Sequence, residues 1–419
     1  MAARRGARRT IVAGMRSLFL APLLAAAAFC GAARADDAAA CTATAQWIVP
    51  QNSTVLAADA VMAAFSQRPV VLLGESHGSV DQHRWQLHTM AALHGYRPNM
   101  VIGVEMLPRR AQPVLDRWVA GELTPAAFLE AVEWDRVWGF DPGPYLPLFH
   151  FARLHRIPMV ALNVDRALIT EVAQKGWAAV PEELREGVST PAPASKPYRR
   201  SLAGVHLLKQ QMREGEGEQQ AEDMSAPVAE DDLEKAMREP AFERFVEAQL
   251  TWDRAMAEVL AREARRSERP LVIGLIGRGH LENHWGVPHQ LASLGLNGAA
   301  VLLPWQRQRC ASITPEVADA VFLLDEEDST SEGPRLGVQV ASHPDGVRIV
   351  TISEGSVADA AGLAADDIIV SAGGTSMRTA QDLVALIRKQ MPGAILPMII
   401  NRSGAMLDLV ARFPDAASP

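Results

Sequence analysis

Short apolar runs separated by helix-like patterns occupy the chain up to about residue 324. The runs are continuous rather than alternating, which is typical of parallel strands that are covered on both faces. Between them, apolar residues recur three or four positions apart, as on one face of a helix. We therefore predict an α/β fold, a three-layer domain with a mainly parallel sheet. The predicted strands are 70–73, 101–104, 159–162, 271–276 and 299–303, and the predicted helices are 80–94, 113–120, 125–132 and 242–266.

The pattern changes after a polar linker at 325–332. Short strands around a single helix at 379–389 predict a second, small α+β domain over 333–414. Its predicted strands are 336–340, 347–352, 367–370, 395–401 and 405–413.

One segment inside the first domain, 210–240, holds many acids and almost no large apolar residues. Such a composition cannot bury enough apolar surface to order the chain, and we predict a mobile acidic insertion. The first domain, 36–324, would then carry this insertion on its surface.

The first 35 residues resemble a signal peptide. An arginine-rich start is followed by an apolar stretch too short to span a bilayer and by the cleavage pattern Ala33-Arg34-Ala35. We therefore expect a periplasmic or membrane-associated protein. Cys30 suggests a lipoprotein, but Phe29 before it makes a poor lipidation site.

Removing this segment makes the chain more acidic, because it contains six arginines and no acid. The formal charge of −8 becomes −14 for the mature chain. An acidic surface repels phosphate backbones, so we expect no nucleic-acid partner. Two cysteines remain, Cys41 and Cys310, and both a disulfide and two free thiols are open.

Polar residues follow four of the predicted strands. Glu75 and His77 follow the first, Glu105 the second, Asn163 the third and His280 the fourth. Ligands of open α/β sheets bind outside the carboxyl ends of the strands, so these side chains predict one shared site. In contrast, His83, His88 and His94 lie within the 80–94 helix and are expected on its surface or at its ends.

An aromatic-rich segment, 134–145, stands out in a chain with only 5% aromatic residues. It includes Trp134, Trp138, Phe140 and Tyr145. Aromatic walls with a few polar groups suit a flat apolar ligand, whereas the alternative is a plug against the core.

Taken together, these motifs resemble the ChaN family of haem-binding, iron-regulated bacterial proteins in the Tiki superfamily. The resemblance covers 70–304. Its motifs include 71–77 (VLLGESH), 103–107 (GVEML), 157–163 (IPMVALN), 249–257 (QLTWDRAMA) and 277–280 (GRGH). It implies an α/β domain that binds haem as an iron-uptake protein, often as a homodimer enclosing two haems.

In that family the haem iron is held by a tyrosine, and this chain contains only Tyr96, Tyr145 and Tyr198. We favour Tyr198 over Tyr145 because Arg199, Arg200 and His206 follow it and offer charge and hydrogen bonds to propionates. The other predicted haem contacts are His77, His280 and Trp138.

The same superfamily includes metal-dependent hydrolases and proteases with a similar motif pattern. This leaves an alternative function, with a divalent metal as cofactor. Glu75 would be a general base, His77 and His280 would be metal ligands or acid–base groups, and Glu105 would complete the site.

The second domain closely resembles bacterial PDZ domains, through 354–363 (EGSVADAAGL) and the Leu-Gly-Val entry at 336–338. The resemblance implies that Leu336, Gly337, Val338 and Val340 bind the C-terminus of a partner peptide, which adds as a strand to the sheet edge. The expected partners are therefore haem and a C-terminal peptide.

Overall fold

The computed structural model describes residues 43–214, 229–325 and 335–415. The first domain contains an eight-stranded sheet in the order β2-β1-β8-β7-β3-β6-β4-β5. The six strands from β8 to β5 in this order are parallel, and the β1–β2 hairpin adds antiparallel at one edge. The strands are β1 (Trp47–Val49), β2 (Thr54–Leu56), β3 (Val70–Glu75), β4 (Met100–Pro108), β5 (Met159–Asn163), β6 (Leu271–Gly277), β7 (Ala300–Gln306) and β8 (Ala320–Leu324).

Helices cover both faces of this sheet, which confirms the predicted α/β class. They are α1 (Ala58–Phe65), α2 (Val80–Tyr96), α3 (Gln112–Ala120), α4 (Pro125–Ala131), α5 (Trp134–Val137), α6 (Leu146–His155), α7 (Arg166–Lys175), α8 (Lys196–Glu214), α9 (Glu230–Ala236), α10 (Pro240–Ala264) and α11 (Val287–Ser293). Each of the five predicted strands is present, with its ends shifted by a few residues.

Two hydrophobic layers explain why the strand sequences are continuous. In β3, Val71 and Leu73 belong to the layer on one face, and Val70 and Leu72 belong to the layer on the other. Successive side chains of a strand point to opposite faces, so a strand buried on both faces needs apolar residues at every position.

The ends of the acidic segment are helical, although its composition predicts no order. α8 extends to Glu214, and α9 begins at Glu230. Leu233 and Met237 pack against the cluster that contains Tyr198 and Phe242, so a few apolar residues anchor this part of the segment. Residues 215–228 lie outside the described residues.

The second domain is built around a six-stranded antiparallel sheet and its own core. Five strands follow the order β14-β13-β11-β10-β9, and β12 pairs with β11. Its elements are β9 (Val338–His343), β10 (Gly346–Ile352), α12 (Val357–Ala360), β11 (Ile368–Ala372), β12 (Thr375–Ser376), α13 (Ala380–Arg388), β13 (Ile395–Arg402) and β14 (Ala405–Arg412). The small α+β domain is thus as predicted.

The predicted signal peptide, Cys30, Cys41 and most of the linker lie outside the described residues. Cys310 is disulfide-bonded. In the described part of the chain, no helix is both long enough and apolar enough to cross a membrane.

Candidate functional site

The two motifs that follow β3 and β6 meet at the carboxyl ends of adjacent strands. β3 and β6 are parallel neighbours, and their register places Glu75 opposite Gly277. β4 lies on the other side of β6, so Glu105 reaches the same region. The strand order therefore brings together residues that are two hundred positions apart in the sequence.

His77 is held by Glu75 and flanked by aromatic rings. Its Nδ1 lies 2.7 Å from Oε1 of Glu75, which is buried, while 31% of the His77 side chain is exposed. The rings of Trp138 and Phe140 lie with their centroids 4.7 and 4.9 Å from that of His77. Among the described residues, Nε2 of His77 has no hydrogen-bonding partner.

His83 is buried in the same network, and its expected surface position is wrong. Gln86 donates its amide to the carbonyl of Leu73, so its Oε1 faces Nδ1 of His83 at 3.0 Å. Nε2 of His83 lies 3.2 Å from the carbonyl of His77 and 3.6 Å from Oε2 of Glu75. Both ring nitrogens therefore face acceptors, and His83 fixes the turn that carries His77.

Glu105 connects the two motifs. The backbone N–H of Gly277 donates to its Oε2 at 2.6 Å, and Nε2 of His280 lies 3.6 Å from its Oε1. Asn163 donates to the backbone carbonyl of Glu105 and accepts from the N–H of Val164, so it holds the ends of two strands together.

A second buried network surrounds His280. Its Nδ1 lies 2.6 Å from Oδ1 of Asp253, and the hydroxyl of Tyr198 donates to Oδ2 of the same carboxylate at 2.9 Å. Asp253 is fully buried on α10, and the ring of Trp252 packs edge-on against His280. The sequence prediction did not assign Asp253 to the site.

Charges in these networks shift the pKa values of both histidines upward. Burial opposes the charged form of His77, but the hydrogen bond and charge of Glu75 outweigh it and raise its pKa above 6.5. Burial also opposes the charged form of His280, yet Asp253, helped by Glu105, raises its pKa to about 9.

The site also depends on the absence of a side chain at Gly277. A Cβ on this residue would lie 2.7 Å from Cε1 of His77 and 3.4 Å from Oε2 of Glu105. The imidazole of His77 is therefore seated directly against the backbone at the end of β6.

The structure places the three tyrosines in different surroundings. Tyr145 is buried in the aromatic segment, and its hydroxyl donates to the carbonyl of His77 at 3.1 Å. Burial raises the pKa of both Tyr145 and Tyr198, with added contributions from the charges of Glu75 and Asp253 respectively. Tyr96 ends α2 at the other end of the sheet, where its hydroxyl donates to the carbonyl of Asp59.

The basic residues next to Tyr198 are paired with acids. Arg199 pairs with Glu243 and lies over the ring of Phe242, and Arg200 pairs with Glu230. His206 packs on the rings of Phe242 and Phe245. The predicted roles of Arg199 and Tyr198 toward haem stay predictions.

The aromatic segment is divided between the core and the surroundings of His77. Trp134 and Tyr145 are buried in the core, whereas Trp138 and Phe140 line the exposed side of His77. Within the described ranges, no three His, Cys, Asp or Glu side chains come together as a metal-binding group.

The predicted peptide groove lies at the edge of the second sheet. β9 comes last in the strand order, so one of its edges carries no strand of the described chain. Gly337 has φ +80°, and a Cβ there would lie 2.2 Å from Cβ of Ser356, so the loop before β9 requires glycine. Leu336 is buried, and Val338 and Val340 are half-buried on the strand itself.

Comparisons with solved structures give distant similarities. ChaN of Campylobacter jejuni, described with cofacial haem binding, is 18% identical; the match covers 66% of this chain and 95% of that one, with a TM-score of 0.47. A serine endoprotease of Yersinia pestis is 17% identical over 20% of this chain and 29% of its own, with a TM-score of 0.18. No curated protein matches the chain.

Two family models match. Residues 348–402 match a PDZ domain model, which confirms the predicted second domain. Residues 61–291, more than half of the chain, match the model described as "Haem-binding uptake, Tiki superfamily, ChaN". The chain therefore belongs to the ChaN family of the Tiki superfamily, with a PDZ domain after its α/β domain.

Proposed function

We propose that this chain is an exported haem-binding protein that serves haem or iron uptake. The observation that carries the proposal is the partly exposed imidazole of His77, which lies beside the rings of Trp138 and Phe140 at the carboxyl end of the sheet. This arrangement lies within the region that matches the haem-binding family.

The residues at this edge fit a haem. A haem needs an apolar surface for its ring and a nitrogen, oxygen or sulfur ligand for its iron. Trp138 and Phe140 supply apolar surface, and His77 supplies a ring nitrogen without a protein partner among the described residues. When bound, haem supplies a redox-active iron centre; the protein would bind, orient and shield it.

Titrating hemin into the full mature chain tests the proposal. We expect a saturable Soret band distinct from that of free hemin. Trp138→Ser combined with Phe140→Ser removes the apolar wall and should weaken binding roughly tenfold, which corresponds to about 1.4 kcal/mol. The matched control is Phe151→Ser, a partly buried aromatic on α6. A wild-type chain that leaves the hemin spectrum unchanged contradicts the proposal.

Export is supported by the signal-like first 35 residues and by the disulfide-bonded state of Cys310. Fractionation of expressing cells should place the wild-type chain in the periplasm or at the membrane, and a chain lacking residues 1–35 in the cytoplasm. An uptake role predicts slower growth of the source bacterium on hemin as its iron source when the gene is deleted.

We further propose that the PDZ domain binds the free C-terminus of a peptide along β9. The open edge of β9 and the glycine-containing loop before it support this proposal. Fluorescence anisotropy should detect binding of peptides that end in an apolar residue with a free carboxylate, and their amidated forms should bind at least about tenfold more weakly. Gly337→Ala should abolish binding, and equal binding of both peptide forms contradicts the proposal.

The second candidate function is a hydrolase that uses Glu75, His77, Glu105 and His280. It is favoured by one observation, because both histidines have Nδ1 against a buried carboxylate, as catalytic histidines often do. Stoichiometric divalent metal in the purified protein, with peptide cleavage that Glu75→Ala abolishes, would establish it. Equal cleavage by Glu75→Ala and wild type would remove it.

A further inference from the structure

We infer that Nε2 of His77 is the atom of this chain that ligates the haem iron, in place of the tyrosine oxygen that its family resemblance implies. The inference rests on the proposed haem binding and goes beyond it, because it names the ligand and a positioning residue. It follows from which ring nitrogens and hydroxyls at the site are accessible and which are already engaged.

The tyrosines near the site are closed to a ligand. The Tyr145 side chain is fully buried, and its hydroxyl donates to the carbonyl of His77. Tyr198 is 2% exposed, and its hydroxyl donates to the fully buried carboxylate of Asp253. Ligation by either oxygen would require breaking these hydrogen bonds and opening the surrounding core, whereas Tyr96 lies at the opposite end of the sheet.

His77 has the opposite properties. Its side chain is 31% exposed, and Nδ1 is occupied by a hydrogen bond to Glu75. In the neutral imidazole, a buried carboxylate on Nδ1 places the proton on that nitrogen and leaves the lone pair on Nε2. Carboxylate–histidine pairs of this kind orient metal-ligating imidazoles and make them better donors. Glu75 is therefore the positioning residue for His77.

The imidazole of His77 is also held rigidly, as a ligand should be. Its backbone carbonyl accepts hydrogen bonds from both His83 and Tyr145. Its ring packs against the backbone of Gly277, at a point where a Cβ would lie 3.3 Å from Nε2. A haem that approaches Nε2 would meet the neighbouring aromatic rings of Trp138 and Phe140.

His280 is more buried than His77, and both of its ring nitrogens lie near carboxylates. Only 11% of its side chain is exposed, and its Nε2 lies 3.6 Å from the carboxylate of Glu105. Its Nδ1 is engaged by Asp253. Both nitrogens thus face buried acids, and His280 belongs to the interior network rather than to the accessible surface.

Resonance Raman spectroscopy of the full mature chain, loaded with hemin and reduced, tests the ligand directly. We expect an iron–imidazole stretching band that shifts when the protein is labelled with ¹⁵N-histidine. This measurement needs no variant, so it remains decisive even if a substitution at position 77 prevents folding. Absence of the band from haem-loaded wild type overturns the inference.

His77→Gly identifies the histidine. The band should disappear in this variant and return when ¹⁵N-imidazole is added, with the isotope shift now carried by the added imidazole. His284→Gly is the matched control, because His284 is also partly exposed and has a φ of +59° that glycine accepts readily. This control should keep the wild-type band, and loss of the band in both variants overturns the assignment to His77.

Glu75→Gln tests the positioning role. It should move the iron–imidazole band to lower frequency and weaken hemin binding about 10- to 100-fold, as loss of a partner of a ligating histidine does. An unchanged frequency would remove Glu75 from the inference.

Two results separate this inference from the proposed function. In the first, hemin binds, and its spectrum changes in Tyr198→Phe or Tyr145→Phe but not in His77→Gly. This result overturns the His77 assignment, while the proposal of haem binding stands. A wild-type chain that does not bind hemin overturns both.

Discussion

His77 and His280 occupy similar places in two neighbouring networks and differ in their access to solvent. Each follows one of the two adjacent central strands β3 and β6, and each has Nδ1 within 2.7 Å of a buried carboxylate. In each network a tyrosine hydroxyl donates nearby, from Tyr145 to the backbone of His77 and from Tyr198 to Asp253. The same local chemistry has therefore been built twice at one end of the sheet.

The difference lies at Nε2. In His77 this nitrogen has no hydrogen-bonding partner among the described residues and belongs to a side chain that is 31% exposed beside two aromatic rings, whereas in His280 it faces Glu105 in the interior. The His77–Glu75 pair is open to water on its histidine side only, whereas the His280–Asp253 pair is buried and depends on its protein partners alone. We therefore propose that the His77 network serves binding and that the His280 network stabilises the domain.

The largest expected difference is in the loss of unfolding free energy caused by His280→Ala and by His77→Ala. Removing His280 leaves the carboxylate of Asp253 buried without its cationic partner, which should cost about 3–5 kcal/mol of unfolding free energy. Removing His77 also leaves a buried carboxylate, Glu75, but His83 stays 3.6 Å from it and the vacated, partly exposed position admits water, so the cost should be smaller, about 1–3 kcal/mol. Denaturant unfolding followed by tryptophan fluorescence measures this difference in the first domain alone, because all nine tryptophans lie between residues 47 and 305.

The expected order of these two variants can be contradicted directly. Equal losses, or a larger loss for His77→Ala, would mean that the exposed network carries the stability of the domain. Near-UV circular dichroism of both variants before unfolding confirms that each begins from a folded state.

The next largest effect should be a dependence of the unfolding free energy on pH that comes from the His280 network. Asp253 raises the pKa of His280 from 6.5 to about 9, so the folded state favours the protonated form. The resulting stabilisation, roughly 3 kcal/mol, is fully present below pH 6.5 and is lost as the pH rises through about 9. The difference in unfolding free energy between wild type and Asp253→Asn should therefore shrink over this range.

The exposed Asp81→Asn on α2 serves as the control for this measurement. Its difference from wild type should stay constant between pH 6.5 and 9. A constant difference for Asp253→Asn as well would show that Asp253 does not stabilise a protonated His280.

The strand ends of the site could be predicted from the sequence, because continuous apolar runs mark buried strands and the next polar residues mark their ends. Glu75, His77, Glu105, Asn163 and His280 all follow such runs, and the structure brings them to one end of the sheet. The parallel arrangement of strands alone determines this convergence. Which of these residues are accessible depends on neighbouring helices, and the strand pattern carries no information about that.

The residues missed by the sequence analysis lie on helices. Asp253 falls on the apolar stripe of α10, three residues after Leu250 and four before Ala257, and both neighbours are buried. His83 similarly shares a buried stripe of α2 with Met90 and Leu93. A polar residue on an apolar stripe must have a buried partner, so this spacing is the signal that would have identified both.

Removal of the two tyrosine hydroxyls should give a smaller contrast. Tyr198→Phe removes a hydrogen bond to a buried carboxylate and should cost about 1.5–3 kcal/mol, the range for charged partners. Tyr145→Phe removes a hydrogen bond to a neutral backbone carbonyl and should cost about 0.5–1.5 kcal/mol. Unfolding in urea measures both variants, and a reversed order would show that Tyr145 is the more important anchor.

The last contrast concerns two glycines, Gly277 at the end of β6 and Gly279 in the turn that follows it. Gly277→Ala places a methyl group 2.7 Å from Cε1 of His77, so the imidazole must move, at about 1–3 kcal/mol of stability. At Gly279 a Cβ meets no described atom within 4 Å, and its φ lies outside the left-handed region, so Gly279→Ala should be neutral or stabilise by up to about 1 kcal/mol. Hemin titration completes the comparison: because the ring of His77 is displaced in Gly277→Ala alone, only that variant should bind hemin more weakly. Equal hemin binding by both variants would mean that the position of the His77 ring does not govern binding.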